Sequence, residues 1–163
     1  MRRVLPQACH FGIRQMPHHL GGRPQTQGIG WNLLALGHER TRANQTIVAV
    51  TISAVAEATL LAQQGGADPT ALRAALKGGF ADSIILQQHG ERMSDGNFAP
   101  GGLSKFQLKD LDNTLEEARS LGVELPSTRS VRDRFEYLID EMDGAELDHS
   151  ALYLELKKRN GML

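Results

Sequence analysis

Residues 44–62 read Asn-Gln-Thr-Ile-Val-Ala-Val-Thr-Ile-Ser-Ala-Val-Ala-Glu-Ala-Thr-Leu-Leu-Ala, and Glu57 is the only charge among them. Small and apolar residues fall on nearly every helical face, which predicts a helix buried on most sides. Gly65-Gly66 supplies its stop, because glycine enters the left-handed region without a Cβ penalty. A membrane span is the competing reading. Glu57 and the polar Thr46, Thr51, Ser53 and Thr59 argue against it, and so do the amphipathic segments that follow.

Five further helices are expected, with readable boundaries. Asp68-Pro69 places an N-cap before a proline at the first helical position, and that helix runs to Lys77. A third starts near Asp82 or Ser83 and carries Ile84, Ile85 and Leu86 towards Met93. A long fourth helix covers about Leu103 to Leu121, with Phe106, Leu108, Leu111, Leu115 and Ala118 at helical spacing. A fifth follows Pro126-Ser127-Thr128 and buries Val131, Phe135, Leu138 and Ile139. The last opens at Asp148 and ends in Lys157-Lys158-Arg159, cations suited to a helix C-terminus. Residues 44–163 contain no convincing strand. The expected fold class is all-α: a compact bundle of about six helices, preceded by an irregular N-terminal segment.

That preceding segment differs in kind. Residues 1–43 hold six Arg, no Lys and one acid, Glu39, for a charge of +5, whereas residues 44–163 hold 12 basic and 18 acidic residues, for −6. Gly, Pro, Gln and His punctuate 1–43, and only Trp31 to Leu36 could seed a short helix or strand. Such a stretch buries too little apolar surface to offset its ordering entropy, so 1–43 is read as a disordered or non-native extension and 44–163 as the domain. Cys9, His10, His18 and His19 match no known metal spacing, and no metal is expected. Gly28-Ile29-Gly30 has Leu33 where a dinucleotide loop needs its third glycine. The whole-chain charge of −1 speaks against nucleic acid as a partner. One cysteine rules out an internal disulfide framework and points to the cytoplasm.

Few residues in 44–163 suggest chemistry by themselves. Asn44 and Gln45 either cap the apolar helix or face a ligand. Lys105 and Lys109 lie one turn apart beside Asp110 and Asp112, an arrangement that a solvated face explains. His89 and His149 read as isolated structural histidines. No Ser-His-Asp spacing, HExxH, paired Cys or P-loop is present.

Ordered motifs carry a family resemblance. Asn44-Gln45, Gly65-Gly66-Ala67-Asp68-Pro69, Gly78-Gly79-Phe80-Ala81-Asp82-Ser83 and His89-Gly90-Glu91-Arg92-Met93 are followed by Lys109-Asp110-Leu111, Leu125-Pro126-Ser127-Thr128 and Leu147-Asp148-His149-Ser150-Ala151-Leu152. Together they resemble the C-terminal helical domain of the β-hydroxyacid dehydrogenases (3-hydroxyisobutyrate dehydrogenase-like), the tartronate semialdehyde reductases in particular. The match spans 44–163 and leaves 1–43 outside it.

The resemblance implies an enzyme family in which a separate Rossmann domain binds NAD or NADP and the helical domain closes over the nicotinamide. A lysine near the start of the long helix then acts as general acid/base. Asn44 and Gln45 would bind a small β-hydroxyacid, and Lys109 would reach the cofactor. The position of the family lysine is Thr41, which cannot do that proton transfer, and a one-residue shift brings Arg42, an equally poor acid or base. No intact catalytic residue, no Rossmann domain and no tight cofactor binding are therefore expected. A homodimer through the helical domain is, and the alternative is a non-catalytic helical oligomerisation module.

Overall fold

A computed structural model describes the backbone of residues 29–163 and the side chains from residue 40 onward. It contains six α-helices: α1 (Ile29–Gln64), α2 (Pro69–Leu76), α3 (Ile84–Asp95), α4 (Ser104–Ser120), α5 (Pro126–Met142) and α6 (Leu152–Arg159). A single 3-10 turn, His149–Ala151, leads into α6. Among the described residues the only β-type pairing is one antiparallel bridge, Leu103 with Asp148. The all-α bundle expected from the sequence is what forms.

The N-terminal boundary is corrected. Residues 29–43, expected to be irregular, continue α1 as helix. Helix nucleation is costly but each added residue gains a hydrogen bond, so a packed segment propagates through neighbours such as Leu33-Leu34-Ala35-Leu36. The rest of the extension, with Cys9, His10, His18, His19 and Gly28, lies outside the described residues.

Local chemistry sets the other ends. The Asp68 side chain accepts from Ala71 N at 2.7 Å, and Pro69 pre-sets the first turn of α2. Ser83 accepts from Leu86 N at 2.9 Å to cap α3, which closes at left-handed Gly96. No side chain caps α4; instead Ser104 N donates to Leu147 O at 2.9 Å and Lys105 N to Ala145 O at 3.2 Å. The start of α4 is thereby stitched to the turn at 145–147, ahead of the 3-10 segment.

Helix α1 is the axis, packing against all five other helices. By length and composition alone its Arg40–Gln64 portion is long and apolar enough to cross a membrane. Its inward face, Ala49, Ile52, Val55, Ala56 and Leu60, joins Leu111, Phe135, Leu138, Leu152 and Tyr153 in the core. The expectation of burial on most sides is corrected, because Ile47, Ala54, Ala58 and Leu61 are exposed. Small residues are ambiguous between packed and open faces, which is why the sequence reads more buried than the fold is. Phe106 is likewise exposed, with the Lys105 ammonium 5.4 Å from its ring centroid, while the next residue, Gln107, is buried.

The core also contains charge. Arg134 Nε donates to Glu155 Oε2 at 2.7 Å and its Nη1 reaches Ser53 Oγ at 2.6 Å and Glu57 Oε1 at 3.1 Å. Arg159 Nε donates to the other Glu155 oxygen at 2.8 Å. Thus Glu57, the lone charge of the apolar run, has a partner on α5.

Candidate functional site

A cleft of about 210 Å³ lies between α1 and α4, lined by Thr41, Arg42, Gln45, Asp110 and Asn113. Thr41 and Gln45 are four residues apart, so helical geometry puts both on one face. Gln45 Nε2 donates to Asp110 Oδ2 at 2.6 Å, and Asn44 Nδ2 donates to Gln45 Oε1 at 3.1 Å. The two amides therefore form a connected pair anchored on a carboxylate, not a simple helix cap, since α1 begins fifteen residues earlier. Arg42 is held by Glu117 at 3.2 Å.

Lys109 does not line the cleft. It sits exposed beside Asp110 and makes no hydrogen bond or ion pair among the described residues. An unpaired ammonium there is available to an anionic group. On the adjoining face of α1, an apolar groove of about 330 Å³ runs past Thr46, Ile47, Leu121, Val123 and Leu125.

Behind the cleft the structure gathers residues that spacing kept apart. His89 and His149, read as isolated, meet at 3.2 Å through their Nε2 atoms, with rings nearly perpendicular. Sixty residues of sequence separate them, so no local pattern could have paired them. His149 Nδ1 lies 3.2 Å from Gln107 Oε1, and Gln107 Nε2 donates to Gln45 O at 3.4 Å. His89 Nδ1 faces Asp148 Oδ1 at 3.6 Å. Burial pushes His149 down to about 4, helped by the neighbouring charges of His89 and Arg92 and opposed by Asp148. Burial alone would raise Asp148, but His89 and the Ser150 hydroxyl and N–H outweigh it and hold the carboxyl well below its ordinary range.

Among the described residues, His89, Asp148 and His149 are the one cluster of metal-ligand type. The carboxylate is already occupied: Asp148 Oδ1 accepts from Ser150 N at 3.0 Å and from Ser150 Oγ at 2.6 Å, and Oδ2 accepts from Gly102 N at 3.0 Å. Arg92 stands 3.9 Å from Oδ2, a charge that opposes a second cation. The donors thus suit a proton better than a metal ion.

Residues 37–156 match the family model described as NAD-binding of NADP-dependent 3-hydroxyisobutyrate dehydrogenase, and the chain belongs to that family of NAD(P)-dependent hydroxyacid dehydrogenases. The match begins at residue 37, within the segment set apart as 1–43. The chain is 46% identical over 115 residues to 2-hydroxy-3-oxopropionate reductase of Escherichia coli (strain K12), a match covering 71% of this chain and 39% of that protein. It is 33% identical over 102 residues to the uncharacterized oxidoreductase YkwC of Bacillus subtilis (strain 168), covering 63% of this chain and 35% of that one. The fold is shared with 3-hydroxyisobutyrate dehydrogenase from Salmonella typhimurium (TM-score 0.65, 22% identity, 69% of this chain and 39% of that one). It is shared also with 3-hydroxyisobutyrate dehydrogenase of Mycobacterium tuberculosis, solved with L-serine (TM-score 0.66, 22% identity, 72% and 42%). The chain spans about two fifths of the length of the reductase and of these two structures.

Proposed function

We propose that the helical domain presents the substrate-facing side of a β-hydroxyacid dehydrogenase, with Asn44 and Gln45 binding a small β-hydroxyacid and Lys109 meeting the cofactor. The observation that carries this reading is the Gln45–Asp110 hydrogen bond, which fixes the amide pair at the cleft one residue from Lys109. Fixed amides offer both donors and acceptors to a hydroxyl and a carboxylate. When bound, NAD or NADP supplies the hydride. The described residues suit only one side of such a dinucleotide: an unpaired lysine is at hand, but no glycine-rich turn between strand and helix is present among them to cradle a pyrophosphate.

Thr41 stands where the family lysine belongs and lines the cleft. A threonine hydroxyl neither gives nor takes a proton readily at neutral pH. No turnover, and no tight binding of NAD or NADP, is therefore proposed for the 163 residues by themselves. The exposed apolar stripe of α1 supports homodimer formation, and with it the second reading, a helical oligomerisation module without catalysis. The cytoplasm is the proposed location.

The test is an NMR titration of the labelled chain with NADPH and tartronate semialdehyde, alongside an assay of NADPH oxidation. Shifts confined to Asn44, Gln45 and the Lys109–Asp110 turn, without oxidation, are expected. Shifts elsewhere, or none at millimolar ligand, would leave the oligomerisation module as the reading. Turnover by the chain alone would refute its inactivity.

A further inference from the structure

Behind Gln45, a chain of polar groups runs between two ends that can only accept hydrogen bonds: the Gln45 carbonyl and the Asp148 carboxylate. Gln107, His149 and His89 lie between them, making contacts of 3.4, 3.2, 3.2 and 3.6 Å in order. Four contacts need four protons. Along this path the Gln107 amide provides one and each neutral imidazole provides one, so the chain with neutral rings is one proton short. The contact left over is the longest: His89 Nδ1 is buried with no hydrogen-bond partner, facing Asp148. A bare ring nitrogen against a carboxylate is repulsive, whereas a proton there makes an ion pair.

The remaining orientations then follow one from another. The Gln45 carbonyl requires the Gln107 NH₂ to point at it, which turns Oε1 towards His149. His149 must therefore carry its proton on Nδ1 and leave Nε2 bare. His89 Nε2 then donates to His149, and His89 Nδ1 donates towards Asp148. The low pKa of His149, about 4, agrees with a ring that stays neutral beside a charged neighbour. The charged groups facing the pair are Arg92 from α3 and Asp148 ahead of the 3-10 turn; α4 presents the uncharged Gln107 and α1 a carbonyl. Gly102 leaves room for the His149 ring, since a Cβ there would lie 2.9 Å from its Cε1.

We infer that Gln107 is a positioning residue for the α1 main chain at Gln45, locked in one amide orientation by the Nδ1–H form of His149, and that the further proton of this chain of groups lies on the His89 ring against Asp148. The functional weight of the inference rests on reading Gln45 as a substrate-binding residue. Its physical content does not, because it concerns tautomers within this chain.

Ring-¹⁵N NMR of the labelled chain tests it. His149 is expected with a protonated Nδ1 and a bare Nε2. The Gln45 main-chain carbonyl ¹³C signal is expected to show the hydrogen bond from Gln107 besides the one within its helix. Gln107→Leu removes both polar groups at similar size and should shift that carbonyl signal, with His149 no longer held to the Nδ1–H form. Gln107→Glu keeps an acceptor for His149 but loses the donor to the Gln45 main-chain carbonyl, so the His149 tautomer should persist and the carbonyl signal should shift as in Gln107→Leu; it also stands in if Gln107→Leu does not fold. A His149 proton on Nε2, or a Gln45 carbonyl signal unchanged in either variant, would overturn the inference. No nicotinamide or hydroxyacid is used, so a failed ligand titration and a failed tautomer assignment are separate results.

Discussion

Gln45 Nε2 and Asp110 Oδ2 lie 2.6 Å apart across 65 residues of sequence, joining the polar stretch of α1 to the Lys-Asp-Leu motif of α4. The acceptor is charged and partly buried, so the bond is stronger than an ordinary amide contact. Asp110→Ala is expected to cost about 1–2 kcal/mol and to free the Gln45 side chain. Asp110→Asn, which keeps an acceptor, should cost about half as much or less. Urea unfolding at neutral pH measures both, and equal midpoints for wild type and Asp110→Ala would show that the bond contributes nothing.

Arg134 and Glu155 present a larger effect. Glu155 is 1% exposed and binds Arg134 and Arg159 on its two oxygens. Removing one member of a buried pair leaves an uncompensated charge, so Glu155→Ala should destabilise by about 3–5 kcal/mol. Replacing both charges, as in Arg134→Met with Glu155→Leu, should recover most of that loss. A double variant no more stable than Glu155→Ala, by chemical denaturation, would mean that Ser53 and Glu57 depend on the Arg134 guanidinium more than the geometry suggests.

Much of the fold was written in local patterns. Asp68-Pro69 and Ser83 announce helix starts through the caps that they form, and Gly65-Gly66 announces an end. These signals act over three or four residues, which is what a sequence displays directly. The extension of α1 back to Ile29 was hidden because it depends on cooperative propagation from a packed segment. The site was half legible. Asn44, Gln45 and Lys109 stand out by their motifs, but Asp110 read as a solvated charge until α1 and α4 were seen to touch. His89 and His149 fall within quoted motifs and Gln107 within none, and the meeting of the three had no readable signal, because it depends on packing between α3, α4 and the 3-10 turn.

Acid should unfold the protein in two stages. His149 sits at about 4 in the fold, below its ordinary 6.5, so the unfolded chain binds its proton first as pH falls. Stability is therefore lost between about pH 6.5 and 4, by at most about 3 kcal/mol from this group. Asp148 is lowered from 3.8, so its contribution is intact above that value and disappears below it. In His149→Phe the first stage should flatten while the second remains. Urea midpoints followed from pH 8 to pH 3 give both slopes, and a first stage unchanged in the variant would assign it to another group.

The exposed stripe of α1 sets the last expectation. Ile47 is 65% and Leu61 76% exposed, with the small Ala54 and Ala58 between them on the same side of the helix. Two such stripes meeting could bring the helix backbones close at the alanines while Ile47 and Leu61 seal the ends, a self-complementary geometry suited to a two-fold pair. A long side chain at the point of closest approach would hold the helices apart without touching the core. Ala58→Arg is thus expected to weaken self-association at least about tenfold, equivalent to roughly 1.4 kcal/mol, and to leave helical content unchanged. Sedimentation over a range of micromolar concentrations reads the dissociation constant, with circular dichroism as the check on folding. A wild-type chain that stays monomeric throughout would refute the homodimer, and a variant that associates as tightly as wild type would place the dimer contact on a different face.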